Sequence, residues 1–223
     1  MDGNELKING IGKAGGGEYS KVHMEGIGDV EGDLSCNTCY INGVANIDGS
    51  VKADHFKANG KLKIKGHLHA EQVEFDGQMT VEGSMSAAVS RLNGLVKIRG
   101  DCEAETFHGA GGFVVGGLLN ADLIEIELYG RSKAKEIGGT RVHVIKTNKS
   151  DWSQLFSWAV PSLKSVLEAN VIEADEIYLE KTKAGTVRGN NVELGAGCIV
   201  ETVEYRGELK VHSTAKVGKK VKV

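Results

Sequence analysis

Four cysteines and seven histidines are the side chains of this 223-residue chain best suited to redox or metal chemistry. Cys36-Asn37-Thr38-Cys39 has the spacing of a thiol–disulfide couple or of half a zinc site. A zinc site of that kind needs a second pair, and the chain has no second C-x-x-C. Cys102 and Cys198 stand alone. His67 and His69 are two apart, so on a strand they share one face and could hold one metal between them. No acidic or histidine partner accompanies them in the pattern. His23, His55, His108, His143 and His212 are scattered. Gly26-x-Gly28 opens no strand-to-helix unit, so it lacks the context of a dinucleotide fingerprint. Gly218-Lys219-Lys220 has neither the spacing nor the hydroxyl of a phosphate loop. The expectation is a chain with no catalytic residues, no metal and no cofactor, in which the cysteines serve as small apolar residues.

The elements that carry these side chains are set by a repeat. One glycine series reads Gly26, Gly43, Gly60, Gly77, Gly94, Gly111, and a second reads Gly32, Gly49, Gly66, Gly83, Gly100, Gly117. Both step by 17 residues without a slip. A period of this order means one supersecondary unit stacked on copies of itself. Apolar residues keep the same period in six columns. The second column, for example, reads Val30, Ile47, Ile64, Val81, Ile98, Val115, and the fifth reads Val22, Cys39, Phe56, Val73, Ser90, Phe107, Ile124. Within a turn the apolar residues alternate with polar ones, as in Ile41, Gly43, Ala45, Ile47, Gly49, Val51, Ala53, and then step by three to Phe56. Alternation by two is the side-chain period of a strand. The glycines fall on inward positions at corners, where no inward Cβ fits and positive φ is allowed. Three strands and three corners in 17 residues describe a three-sided parallel β-helix, an all-β solenoid. Both Cys36 and Cys39 lie on inward columns, and His67 and His69 on an outward face.

The register holds from Tyr19 to Ile126 and runs on irregularly through Gly130, Ser132, Ala134, Val142 and Val144. It resumes, shortened, at Ile172, Ala174, Ile177 and Leu179 and continues through Val187, Cys198 and Leu209 to Val217. This gives roughly ten turns, or about 50 Å of stack at the strand spacing. The expected organisation is a flexible glycine-rich lead-in over 1–18, regular turns over 19–145, an excursion over 146–170, and shortened turns of the same domain over 171–223. The excursion holds the only proline, Pro161, and both tryptophans. Trp152, Leu155, Phe156, Ala159, Leu163, Val166 and Leu167 recur at helical spacing. Two readings stay open for it. It packs on the wall, where Val114, Leu118 and Leu123 are outward yet apolar, or Trp152, Leu155, Phe156, Trp158 and Leu163 touch a membrane surface or partner.

Net charge is −3 and no basic stripe is present, so nothing favours nucleic acid. No segment has the length and apolarity to span a bilayer as a helix, and residues 1–17 do not read as a signal peptide. The expected location is cytoplasmic, with contact at the inner membrane face as an option for the excursion.

The enzymatic alternative is an acyltransferase on a left-handed β-helix, with a carbohydrate-binding β-helix beside it. Asn191-Val192-Glu193-Leu194-Gly195-Ala196-Gly197 is faintly like the hexapeptide repeat of such enzymes. That fold runs on sixes, whereas the two glycine series here are 6 and 11 apart.

The unit Val44-Ala45-Asn46-Ile47-Asp48-Gly49-Ser50-Val51-Lys52-Ala53, the 17-residue turn and the closing stretches Glu173–Glu180 and Gly197–Tyr205 resemble the bactofilins, polymer-forming bacterial cytoskeletal proteins, and among them the longer Gram-positive members. The resemblance implies a right-handed three-sided β-helix. It also implies end-to-end stacking into non-polar filaments without nucleotide or metal, serving cell shape, envelope synthesis or motility machinery. The implied partner is another copy of the chain, with a paralogous family member as a second.

The ends fit that expectation, because a β-helix exposes an open core and unpaired backbone at each end. Tyr19, Val22 and Met24 are expected to form one docking end. Leu209, Val211, Val217, Val221 and Val223 are expected to form the other, with no capping helix after them and edge lysines as guards.

Overall fold

The computed structural model describes residues 4–147 and 165–223. Every regular element among them is strand: β1 (Glu5–Ile47), β2 (Val51–Ile64), β3 (Leu68–Val81), β4 (Met85–Ile98), β5 (Cys102–Leu128), β6 (Arg131–Lys146), β7 (Val166–Leu179), β8 (Thr182–Leu194), β9 (Ile199–Tyr205), β10 (Leu209–Val211) and β11 (Lys216–Lys222). They form one sheet in the order β1 to β9 and then β11, with β10 on β8. Every pairing is parallel, so each turn lies on the turn before it, as a solenoid requires.

The 17-residue period is the pairing register. Val51 pairs with Leu34 and Leu68, Phe56 with Cys39 and Val73, and Gly60 with Gly43 and Gly77. The expected inward columns form one continuous buried core from Val22 to Val203. Burying each large aliphatic side chain contributes about 1.5–3 kcal/mol, and here every turn supplies several. The outward residues link adjacent turns, as where the Asn46 amide donates to Asp29 and the Lys57 ammonium to Glu74, each at 2.9 Å. Such exposed links add little stability one at a time.

The two glycine series do different work. Gly43, Gly60, Gly77, Gly94 and Gly111 bend a continuous strand at φ between +108° and +130°. A Cβ at any of them would overlap the carbonyl oxygen of the glycine one turn earlier. Gly49, Gly66, Gly83 and Gly100 sit in the short turns between β1 and β5, where a Cβ would strike the turn beneath.

Two boundaries differ from the sequence reading. Residues 5–18, expected to be a flexible lead-in, are strand and form a further turn. Gly26 stacks on Gly10 as Gly43 stacks on Gly26, which places Ile8 under Met24. That step is 16 residues rather than 17, so the first turn is out of phase with the series. At the other boundary Val166 and Leu167, which fit a helical stripe by spacing, belong to β7, where Leu167 pairs with Thr182 and is fully buried. A strand on an inward column and a helical face both place apolar residues at short intervals, and the five residues 166–170 are too few to separate them. The five residues proposed for membrane or partner contact, Trp152, Leu155, Phe156, Trp158 and Leu163, lie outside the described residues.

Candidate self-assembly surface

The core columns run out at the two ends of the stack. At the C-terminal end Leu209 lies on Val192, Val211 on Leu194 and Val217 on Val200. All three therefore continue core columns, and all three are partly exposed. Val221 lies on Glu204 and points outward, and Val223 is 65% exposed. These two valines were expected on the end face; Val221 does not continue a core column, for a simple reason. The chain turns a corner at Gly218-Lys219, so the inward residue after Val217 is Lys220, three on. The same three-residue step runs from Val200 to Val203 in the turn beneath. Lys222 follows on the column of Tyr205, and its ammonium stands 5.8 Å from the Tyr205 ring centroid.

At the N-terminal end the added first turn changes which residues are presented. Val22 and Met24, expected on the end face, are 0% and 2% exposed beneath it. The Ser20 amide donates to the Asn4 carbonyl at 2.9 Å, which fastens the first turn to the second. Leu6, Ile8 and Ala14 extend the core instead. Tyr19 is partly exposed, with its hydroxyl donating to the Gly15 carbonyl at 3.1 Å. Both end faces thus combine apolar column residues with the outer backbone of a terminal strand of the sheet, β1 or β11.

The side chains with chemical potential are placed differently. Cys36 and Cys39 are free thiols on inward columns. Cys39 donates a hydrogen bond to Cys36, which holds the Cys36 thiol below its ordinary pKa, while that bond and burial push Cys39 up. Burial pushes Cys102 up to about 12. Cys198 is also raised by burial, and its thiol donates to the Leu179 carbonyl at 3.1 Å. No group of three or more His, Cys, Asp or Glu side chains that could hold a metal occurs among the described residues.

His67 has a role that the spacing did not suggest. It belongs to a ladder running up one corner of the stack. Asp33 accepts from the Ser50 amide, Ser50 Oγ from the His67 amide, His67 Nδ1 from the Ser84 amide, Ser84 Oγ from the Asp101 amide and Asp101 from the Leu118 amide. Each distance lies between 2.7 and 3.2 Å. Asp, Ser and His share one property here, an acceptor on a short side chain, and that shared property was the signal in the sequence. His69 meets the Ser86 hydroxyl at 2.7 Å one turn on.

The outward apolar residues Val114 and Leu118 are exposed on the wall, next to a register shift in the pairing of β5 with β6. No helix among the described residues is long and apolar enough to cross a membrane.

Comparison with known proteins returns the family suggested by the repeat. Residues 4–103 match the bactofilin family, described as polymer-forming and cytoskeletal. The chain is 43% identical over 104 residues to the uncharacterized protein YhbE of Bacillus subtilis (strain 168), which covers 46% of this chain and 42% of that protein. It is 36% identical over 108 residues to the uncharacterized protein YhbF of the same organism, covering 48% of this chain and 42% of that one. The chain therefore matches less than half the length of these relatives. No solved structure matches it.

Proposed function

We propose that this chain, whose residues 4–103 match the bactofilin family, is a cytoskeletal scaffold that builds filaments by stacking its solenoid end on end, without nucleotide or metal. One observation carries the reading: the core columns reach both ends as partly exposed apolar residues, Leu6 and Ala14 at one and Leu209, Val211 and Val217 at the other. An end-to-end joint covers those residues and pairs backbone groups along a terminal strand, which is how an exposed sheet edge finds partners. The filaments are non-polar if like ends meet. They serve as scaffolds for cell shape, envelope synthesis or motility machinery. The first partner is a second copy and the second a paralogous family member. The protein works in the cytoplasm, and the segment containing Trp152 and Leu163 supplies any contact with the inner membrane face.

Val211→Lys with Val217→Lys, compared with wild type at a salt concentration that permits growth, tests the joint. The double variant is expected to lose pelletable polymer while keeping its β-sheet circular dichroism and its unfolding midpoint. Undiminished filaments from the folded double variant contradict end docking.

A further inference from the structure

The two ends are not alike. The column that runs from Leu34 through Leu119 to Val203 carries an apolar residue in every turn, and Lys220 ends it. The neighbouring column runs from Cys36 through Ala121 and Gly189 to Tyr205, and Lys222 ends it. Both lysines are exposed. The last turn, residues 208–223, holds five lysines against one acidic side chain, Glu208, which already pairs with Lys210 at 3.2 Å. Among the described residues Lys216, Lys219, Lys220 and Lys222 form no ion pair. At the N-terminal end the residues that extend the columns, Leu6, Ile8, Ala14 and Tyr19, carry no charge.

We propose that the ends dock by different rules. The N-terminal end is an always-available surface for a second copy, and the C-terminal end is closed to a second copy until its lysines are screened or met by anions. The inference rests on the end-docking reading above. A charge on a core column at a sheet edge bars edge-to-edge pairing, because the joint must strip water from an ammonium that finds no anion. When two C-terminal ends meet, Lys220 and Lys222 of one copy face those of the other, so repulsion adds to desolvation. At the N-terminal end no charge lies on a core column, and the exposed charges of the first turn, Glu5, Lys7, Lys13 and Glu18, are of both signs. Low ionic strength therefore leaves short species joined at their N-terminal ends, and growth beyond them follows salt.

The test compares wild type with Lys220→Val/Lys222→Ala, which puts at both positions residues of the kind their columns already hold. Lengths are read by sedimentation and negative-stain microscopy between about 0.05 and 0.5 M NaCl, a range over which the Debye length shortens severalfold. Wild type is expected to lengthen with salt. The double variant is expected to be long at low salt, with a joint roughly tenfold tighter than wild type there, and to lose the salt dependence. A second variant, Lys220→Glu/Lys222→Glu, mixed in equal amounts with wild type at low salt, is expected to form long filaments where each alone stays at the short species. Equal lengths for wild type and Lys220→Val/Lys222→Ala at both salts overturn the gate and leave end docking standing. Single particles from every variant and mixture at every salt overturn both.

Discussion

A methyl group at Gly77 would overlap the carbonyl oxygen of Gly60, and the backbone there is at φ +127°. Gly77→Ala therefore meets a steric and a conformational penalty together. It is expected to cost about 3 kcal/mol or more, read as a lowered denaturation midpoint. A Cβ at Gly15 would meet nothing within 4 Å, so Gly15→Ala is expected to stay within about 0.5 kcal/mol of wild type. Composition treats the two glycines alike, and only the register separates them. The thiols separate in the same way. Cys36 is the one at the lip of the core, 8% exposed and held below its ordinary pKa by the bond from Cys39. Cys102 is fully buried and raised to about 12, which leaves roughly a thousandfold less thiolate than an ordinary cysteine. Alkylation of the native protein, read by mass spectrometry, is expected to mark Cys36 first and Cys102 only at the rate of unfolding. Early labelling of Cys102 contradicts its place in the core.

At the scale of the turn, the acceptor ladder from Asp33 to Asp101 satisfies amides that no strand neighbour reaches at that corner. It stops at Leu118, which has no acceptor, and the register shift lies between Val115 and Leu118. Ser84→Ala removes the acceptor for the Asp101 amide and is expected to cost about 1 kcal/mol in denaturant unfolding. A larger loss points to a role for Ser84 beyond this bond. The turns show what the sequence could reveal. Where inward residues repeat at 17, as from Val22 to Ile124, the columns, strand faces and corners were all legible, because a parallel pairing preserves the period from turn to turn. Legibility ended where a turn changed length. The first turn is one residue short, so Ile8 read as lead-in. The corner at Gly218 removes the alternation that put Val221 on the end face and hid Lys220 on a core column. The ladder was missed for another reason: Asp, Ser and His look unrelated until the shared backbone amide is seen.

The described residues form one stack whose strands lie across a single axis, so its two ends are the surfaces that the repeat would extend. Apolar columns favour extension, and the lysines at the C-terminal end oppose it. On the proposed reading, that opposition would make assembly conditional rather than forbidden, since screening weakens repulsion between exposed charges. The central claim is that one solenoid continues another along the same axis. Diffraction from aligned filaments, formed without nucleotide or metal at a salt concentration that permits growth, tests it most directly. Strands stacked along the axis predict a reflection near about 4.8 Å on the meridian, parallel to the filament. That spacing on the equator, or particles that never elongate under any ionic condition, would contradict end-to-end stacking.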